Sequence, residues 1–154
     1  MILIPPEILE DYGAKITEYA KDTIIFSEGT TAYNYYQVSG GLVKMTNFGE
    51  GGDFIQGLFA DGESFGEPAL FGEFPYPASA IAVSNVKLWV LRKHHFLDLL
   101  KDHFDIFYQL TKILSLRLQY KSFMLRPITC EAPDERIISV LEFFKHKMTK
   151  HATT

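Results

Sequence analysis

The chain is poor in cysteine, and its first half is poor in arginine and histidine. One cysteine, Cys130, stands among 154 residues. The chain therefore has no internal disulfide, no four-thiolate iron–sulfur cluster and no Cys-rich zinc site of its own. A reducing, cytoplasmic compartment is the expectation that follows. All five histidines (His94, His95, His103, His146 and His151) fall at position 94 or later. A metal enzyme built on a β-barrel needs inward-facing histidines on its strands, and the strand-like region supplies none. No arginine precedes Arg92, so the bases of that region are Lys15, Lys21, Lys44 and Lys87. No apolar run approaches the roughly 18 residues of a spanning helix. The start, Met-Ile-Leu-Ile-Pro-Pro-Glu, lacks the basic n-region of a signal peptide. Neither a phosphate-binding P-loop nor a Ser/His/Asp or Cys/His nucleophile pattern is legible. The chain is read as a non-enzyme with no metal site, no certain cofactor and no membrane partner.

What is present is an ordinary folding composition. Hydrophobic residues make up 47% and charged residues 22%, which excludes intrinsic disorder. The net charge of −4 conceals an asymmetry. Residues 1–79 carry 12 acids and 3 bases; residues 80–154 carry 7 acids and 12 bases. An acidic front half does not grip a polyanion by bulk charge. The basic back half has no clustered Lys/Arg run, so its charges read as solvated helix faces.

Two regimes divide near residue 93. Pro5 to Asp11 reads as a short leading helix closed by Gly13. Strand signals then follow at Lys15–Tyr19, Thr23–Phe26, Tyr33–Val38, Leu42–Asn47, Asp53–Phe59, Ala78–Val83 and Lys87–Leu91. Ser39-Gly40-Gly41 reads as a hairpin, and Gly49-Glu50-Gly51-Gly52 as a further tight turn. Alternation places Tyr33 and Tyr35 on one strand face. Short strands at regular spacing with Gly-rich turns indicate a sandwich or barrel. After Lys93 the period becomes helical. His94–Lys101 is a short amphipathic helix, on which adjacent His94 and His95 point different ways. Asp105 to Arg126 is a long helix ended by Pro127. It carries near-heptad apolar positions at Ile106, Leu110, Ile113, Tyr120 and Met124. Phe107, Leu114, Leu118 and Leu125 widen that stripe. So much apolar surface on one helix implies the same helix of a second chain, with Ile106, Leu110, Ile113, Leu114, Arg117, Tyr120 and Met124 at a homodimer interface. Pro133 opens a further helix, acidic in its first turn at Asp134 and Glu135, whose apolar face implies a following domain. Cys130 falls in the loop between the two helices, where a lone thiol is ordinarily inert.

The segment Gly62-Glu63-Ser64-Phe65-Gly66-Glu67-Pro68-Ala69-Leu70-Phe71, followed by Pro75-Tyr76-Pro77-Ala78-Ser79-Ala80, resembles the phosphate-binding cassette of cyclic-nucleotide-binding domains. Tyr35-Tyr36-Gln37-Val38-Ser39-Gly40 with Val43-Lys44 resembles the strand–turn–strand of the same family. The order of elements over about residues 5–148 resembles the sensory half of a Crp/Fnr-type transcription regulator. The implied fold is mainly β with α: a double-stranded β-helix, or jelly roll, then a long dimerisation helix and one further helix. The implied domains are a jelly-roll domain at 1–104, the dimerisation helix at 105–126, and at 127–154 a hinge with the first helix of a DNA-binding domain.

The resemblance implies a ligand site at Phe65, Gly66, Glu67, Pro68, Ala69, Tyr76, Pro77, Ala78 and Ser79, with Lys121 and Ser122 reaching it from the long helix. Gly66 permits close backbone approach, Pro68 suits the first turn of a short helix, and Glu67 suits a ribose hydroxyl. The ligand class is a small anionic effector or nucleotide. In cyclic-AMP-binding relatives an arginine after the cassette helix pairs with the cyclic phosphate; here Tyr76 or Pro77 holds that place. A charge-assisted bond of this kind contributes about 1.5–3 kcal/mol, or about one to two decades of affinity. Two adjacent hydroxyl residues that meet the base in those relatives are here Lys121 and Ser122. The expectations are thus an effector-sensing dimer that does not hold cyclic AMP tightly or, alternatively, a ligand-free structural dimerisation module. DNA would be met only through a domain beyond residue 148.

Overall fold

Proline and glycine punctuate the start of the chain. A computed structural model describes residues 3–130, with side chains as far as Phe123. Helix α1 (Pro6–Asp11) opens on Pro6, whose missing N–H would be unsatisfied there in any case. It closes at Gly13, whose φ of 85° and N–H bond to the Glu10 carbonyl end the turn. Six strands follow: β1 (Lys15–Tyr19), β2 (Ile24–Phe26), β3 (Asn34–Gly40), β4 (Val43–Asn47), β5 (Phe54–Phe59) and β6 (Ser64–Phe65). Helix α2 (Glu67–Gly72) interrupts them before β7 (Ser79–Ala82) and β8 (Val86–Arg92). Helices α3 (Lys93–Asp102) and α4 (Phe104–Cys130) complete the described order.

The strands form two antiparallel four-stranded sheets, β1-β8-β3-β6 and β2-β7-β4-β5. This is the expected jelly roll. β8 lies between β1 and β3, with Val90 opposite Lys15 on one side and Tyr36 on the other. Val86, Leu88 and Leu91 of β8 are buried, whereas Lys87 and Arg92 are exposed. Every residue of β7 is buried. Gln37, buried on β3, is matched by three bonds. Its Oε1 accepts from the Ile4 N–H at 3.0 Å and the Tyr35 hydroxyl at 2.9 Å, and its Nε2 donates to the Ile4 carbonyl at 2.9 Å. These bonds tie the leading segment to the first sheet without an unsatisfied buried amide. Helix α3 buries Phe96, Leu99 and Leu100, the i, i+3, i+4 stripe of an amphipathic helix. Tyr35 stacks on Phe96 with centroids 4.2 Å apart.

The chain forms two compact units, one running to Phe107 and the other beginning at Tyr108. The boundary falls within α4.

Several expectations are corrected. Ser39-Gly40-Gly41 is not a hairpin: β3 and β4 belong to different sheets, so the turn carries the chain across the barrel. It is held by the Gly41 N–H on Asp61 Oδ1 and the Leu42 N–H on Ser84 Oγ, both distant in sequence. The Gly49–Gly52 turn does join a paired hairpin, β4–β5. Tyr33 precedes β3 and is exposed, whereas Tyr35 and Tyr36 are both buried. Pro127 does not end the long helix, which continues to Cys130. A proline deletes one rung of the ladder and crowds the carbonyl four residues back, but a long helix can carry through one such defect as a bend. Cys130 is therefore helical and not a loop residue. The Pro133 helix, with Asp134 and Glu135, lies outside the described residues.

Candidate ligand-binding cassette

The cassette is built from a strand, a left-handed glycine and one and a half turns of helix. β6 pairs with β3 through Phe65 opposite Tyr36 and Ser64 opposite Gln37, which buries both β6 residues. Gly66 then turns the chain with φ +80°, the left-handed region, and caps α2. A Cβ at this position would lie 3.2 Å from Tyr76 Cε1 and 3.3 Å from Phe26 Cζ. Glycine is thus required by conformation and by the rings packed against it. Pro68 lies in the first turn and faces solvent, while Glu67, Ala69 and Leu70 are buried. α2 ends at Glu73 with φ +53°, and an exposed loop leads through Pro75 and Pro77 into β7.

Glu67 is fully buried. Its Oε1 accepts a hydrogen bond from the Ser64 hydroxyl, which fixes the carboxylate at the end of β6. Ser79 is buried as well, and its Oγ accepts the Glu28 N–H at 2.9 Å. Ala78 is buried and Pro77 exposed, with the Pro77 carbonyl accepting from Asn47 Nδ2 at 2.7 Å. Charge beside α2 is arranged at its far end. Lys93 Nζ meets Glu73 Oε1 at 2.9 Å, and that hydrogen bond, aided by the lysine's charge, holds the Glu73 carboxyl below its ordinary range. Lys44 lies 3.9 Å from Asp53.

The sequence did not foresee what Tyr76 does. Expected there as a ligand-site residue at the place relatives give to an arginine, it is 3% exposed. Its ring stacks on Phe26, with centroids 3.6 Å apart and planes 10° apart. Phe26 in turn contacts Tyr36 at 5.7 Å and Phe65 at 5.9 Å, and Phe65 stacks on Tyr36 at 5.5 Å. The backbone of Tyr76 is tied on both sides: its N–H donates to the Thr30 carbonyl at 2.9 Å, and its carbonyl accepts the Gly29 N–H at 2.8 Å. Burial pushes the Tyr76 phenol well up, with Tyr36 and Glu67 adding to the shift. The one sequence signal was the wealth of aromatics; which of them meet is decided across fifty positions of chain.

Phe65, Gly66, Glu67, Ala69, Tyr76, Ala78 and Ser79 are each buried, with Tyr76 packed beside Gly66, whereas Pro68 and Pro77 are exposed. Lys121 and Ser122 are exposed on α4, in the second unit. Of the expected interface, Ile106 and Leu110 are buried within the single chain, and Ile113, Leu114, Arg117 and Tyr120 are half-buried. Met124 lies beyond the described side chains. Phe104, Tyr108, Leu116 and Leu118 of the same helix are 70%, 60%, 56% and 67% exposed. A separate cleft of about 420 Å³ is lined by Tyr33, Arg92, Lys93, His94 and Leu97. Among the described residues, no group of three His, Cys, Asp or Glu side chains is placed to hold a metal, and no helix is long and apolar enough to cross a membrane.

Comparison with known proteins bears on the same region. The cyclic nucleotide-binding domain family matches residues 16–103, from β1 to the end of α3. The chain is 28% identical over 124 residues to the cyclic AMP receptor protein of Thermus thermophilus, covering 80% of this chain and 57% of that protein. The crystal structure of the Thermus thermophilus catabolite activator protein superposes with a TM-score of 0.71 at 27% identity, covering 82% of this chain and 61% of that one. The c-di-GMP-responsive global regulator CLP of Xanthomonas campestris gives 0.75 at 21% identity, covering 90% of this chain and 71% of that one. The sensor domain of the transcriptional regulator DNR from Pseudomonas aeruginosa gives 0.63 at 24%, covering 77% and 82%. The last two likenesses concern the fold alone. The chain spans less than two thirds of the length of the Thermus proteins it matches. Because the matched span takes in both sheets and the whole cassette, the chain belongs to the cyclic nucleotide-binding domain family, with relatives among the Crp/Fnr-type regulators.

Proposed function

We propose that the chain is the effector-sensing and dimerisation part of a cytoplasmic Crp/Fnr-type transcription regulator, one whose cassette does not hold cyclic AMP tightly. It is a regulator and not an enzyme. DNA is met through a domain C-terminal to these residues, and the effector, a small anion or nucleotide, acts by favouring one arrangement of the paired α4 helices over another. The observation that carries the reading is the cassette itself: a left-handed Gly66 leading into a buried Glu67, with Tyr76 and Pro77 where relatives carry an arginine. A glutamate stands where relatives meet a sugar hydroxyl, but no guanidinium stands where they meet a phosphate. The exposed Phe104, Tyr108, Leu116 and Leu118 on α4 support pairing with a second copy.

Calorimetry tests the ligand half of this reading. Titration with cyclic AMP or cyclic GMP gives no saturable heat in the low micromolar range. Pro77→Arg stays weaker than submicromolar, because Lys121 and Ser122 replace the hydroxyl pair that meets the base. Submicromolar binding by either protein overturns it. The second reading, a ligand-free dimerisation module, is favoured by the same missing arginine. Saturable binding of any small anion at micromolar concentration removes that alternative.

A further inference from the structure

The space beside Gly66 is filled by the chain's own aromatic ring. Tyr76 leaves the exposed loop after α2, turns inward and reaches 3% exposure, while its neighbours Pro75 and Pro77 remain outside. Its ring lies flat on Phe26 and within 3.2 Å of where a Cβ of Gly66 would be. Two backbone bonds to Gly29 and Thr30 fasten the loop to the β2–β3 turn. The ring therefore sits against the cassette glycine, one residue before the buried Glu67, and is backed by Phe26, which itself contacts Tyr36 and Phe65.

We propose that Tyr76 is the specificity-determining residue of this cassette: an internal plug, stacked on Phe26 against Gly66, that any cassette ligand must displace. The inference rests on the reading of the cassette as a ligand site. The missing arginine weakens the attraction for a phosphate; the plug adds the loss of an aromatic stack to the cost of entry. Removing the ring removes that cost without restoring the arginine, so affinity rises while remaining weak. Because the ring and not the hydroxyl occupies the space, phenylalanine at the same position keeps the cassette closed.

The test titrates cyclic AMP, up to about 1 mM, into the wild type, Tyr76→Ala, Tyr76→Leu and Tyr76→Phe, reading affinity by NMR and folding by circular dichroism. Tyr76→Ala, or Tyr76→Leu if the alanine variant does not fold, binds about tenfold tighter than the wild type, and Tyr76→Phe behaves as the wild type. A folded variant with unchanged or weaker affinity overturns the proposal. So does failure of both truncations to fold, which makes Tyr76 an ordinary core residue. Sedimentation of the same samples separates this inference from the broader reading. A dimer without gained affinity rejects the plug alone; gained affinity in a strict monomer keeps the plug and rejects the dimer.

Discussion

At the scale of single residues, Tyr76 couples burial to proton binding. Its phenol is pushed up chiefly by loss of solvent, with Tyr36 and Glu67 nearby reinforcing the effect. The folded chain therefore keeps this proton at alkaline pH when the unfolded chain has already released it. Stability from this group is fully present below the ordinary tyrosine range near pH 10 and is lost as pH rises above it. Tyr12 adds to the same fall, because its hydrogen bond to Asp102 raises its pKa to about 12. The urea midpoint is expected to drop between pH 9 and pH 11, and Tyr76→Phe to flatten that drop. An equally steep drop in the variant would place the titrating group elsewhere. The buried role of Tyr76 was not legible in the sequence, because it lies in a loop, its partner Phe26 lies on β2, and neither turn chemistry nor periodicity links the two. The glycine at position 66 was legible, because its turn follows from local backbone and from the short run around it.

Whole elements were read well where the signal is local. The strands other than the two-residue β6, the α3 helix and the β4–β5 hairpin follow from alternation, a 3.6-residue stripe and a run of turn residues. The turn at Ser39-Gly40-Gly41 was misread because a tight turn does not say whether the strands it joins share a sheet. That depends on partners far away, here β8 for β3 and β5 and β7 for β4. Pro127 was misread for a related reason: the preference of one residue to stop a helix is weaker than the cooperativity of a 27-residue element. The start of α2 offers a sharper test. Gly66→Ala places a side chain in the left-handed region, which costs about 1–2 kcal/mol. It also presses on Tyr76 and Phe26, so the total destabilisation exceeds the backbone strain alone. Urea unfolding of Gly66→Ala against the wild type measures it, and a loss below about 0.5 kcal/mol, the scale of an ordinary surface substitution, would show that neither ring resists the added methyl group.

For the molecule as a whole, association is the property at stake. Exposed Leu116 and Leu118 lie on a helix whose Ile106 and Leu110 are already buried within the chain. On the proposed reading, Leu116 and Leu118 join the heptad positions as apolar surface for a twin. At micromolar concentration the chain is expected to sediment as a dimer, and Leu118→Glu to shift it toward monomer while leaving the barrel's melting temperature within a few degrees. A wild type that sediments as a monomer would remove the dimer from the proposed function. The sequence by itself determined the order of elements, the jelly-roll class and the position of the cassette, because periodicity, turn residues and a short motif are written locally. The tertiary structure alone decided which strands share a sheet and which aromatic ring packs against Gly66. Those outcomes depend on contacts between residues tens of positions apart, and on aromatic rings whose meeting no local pattern records.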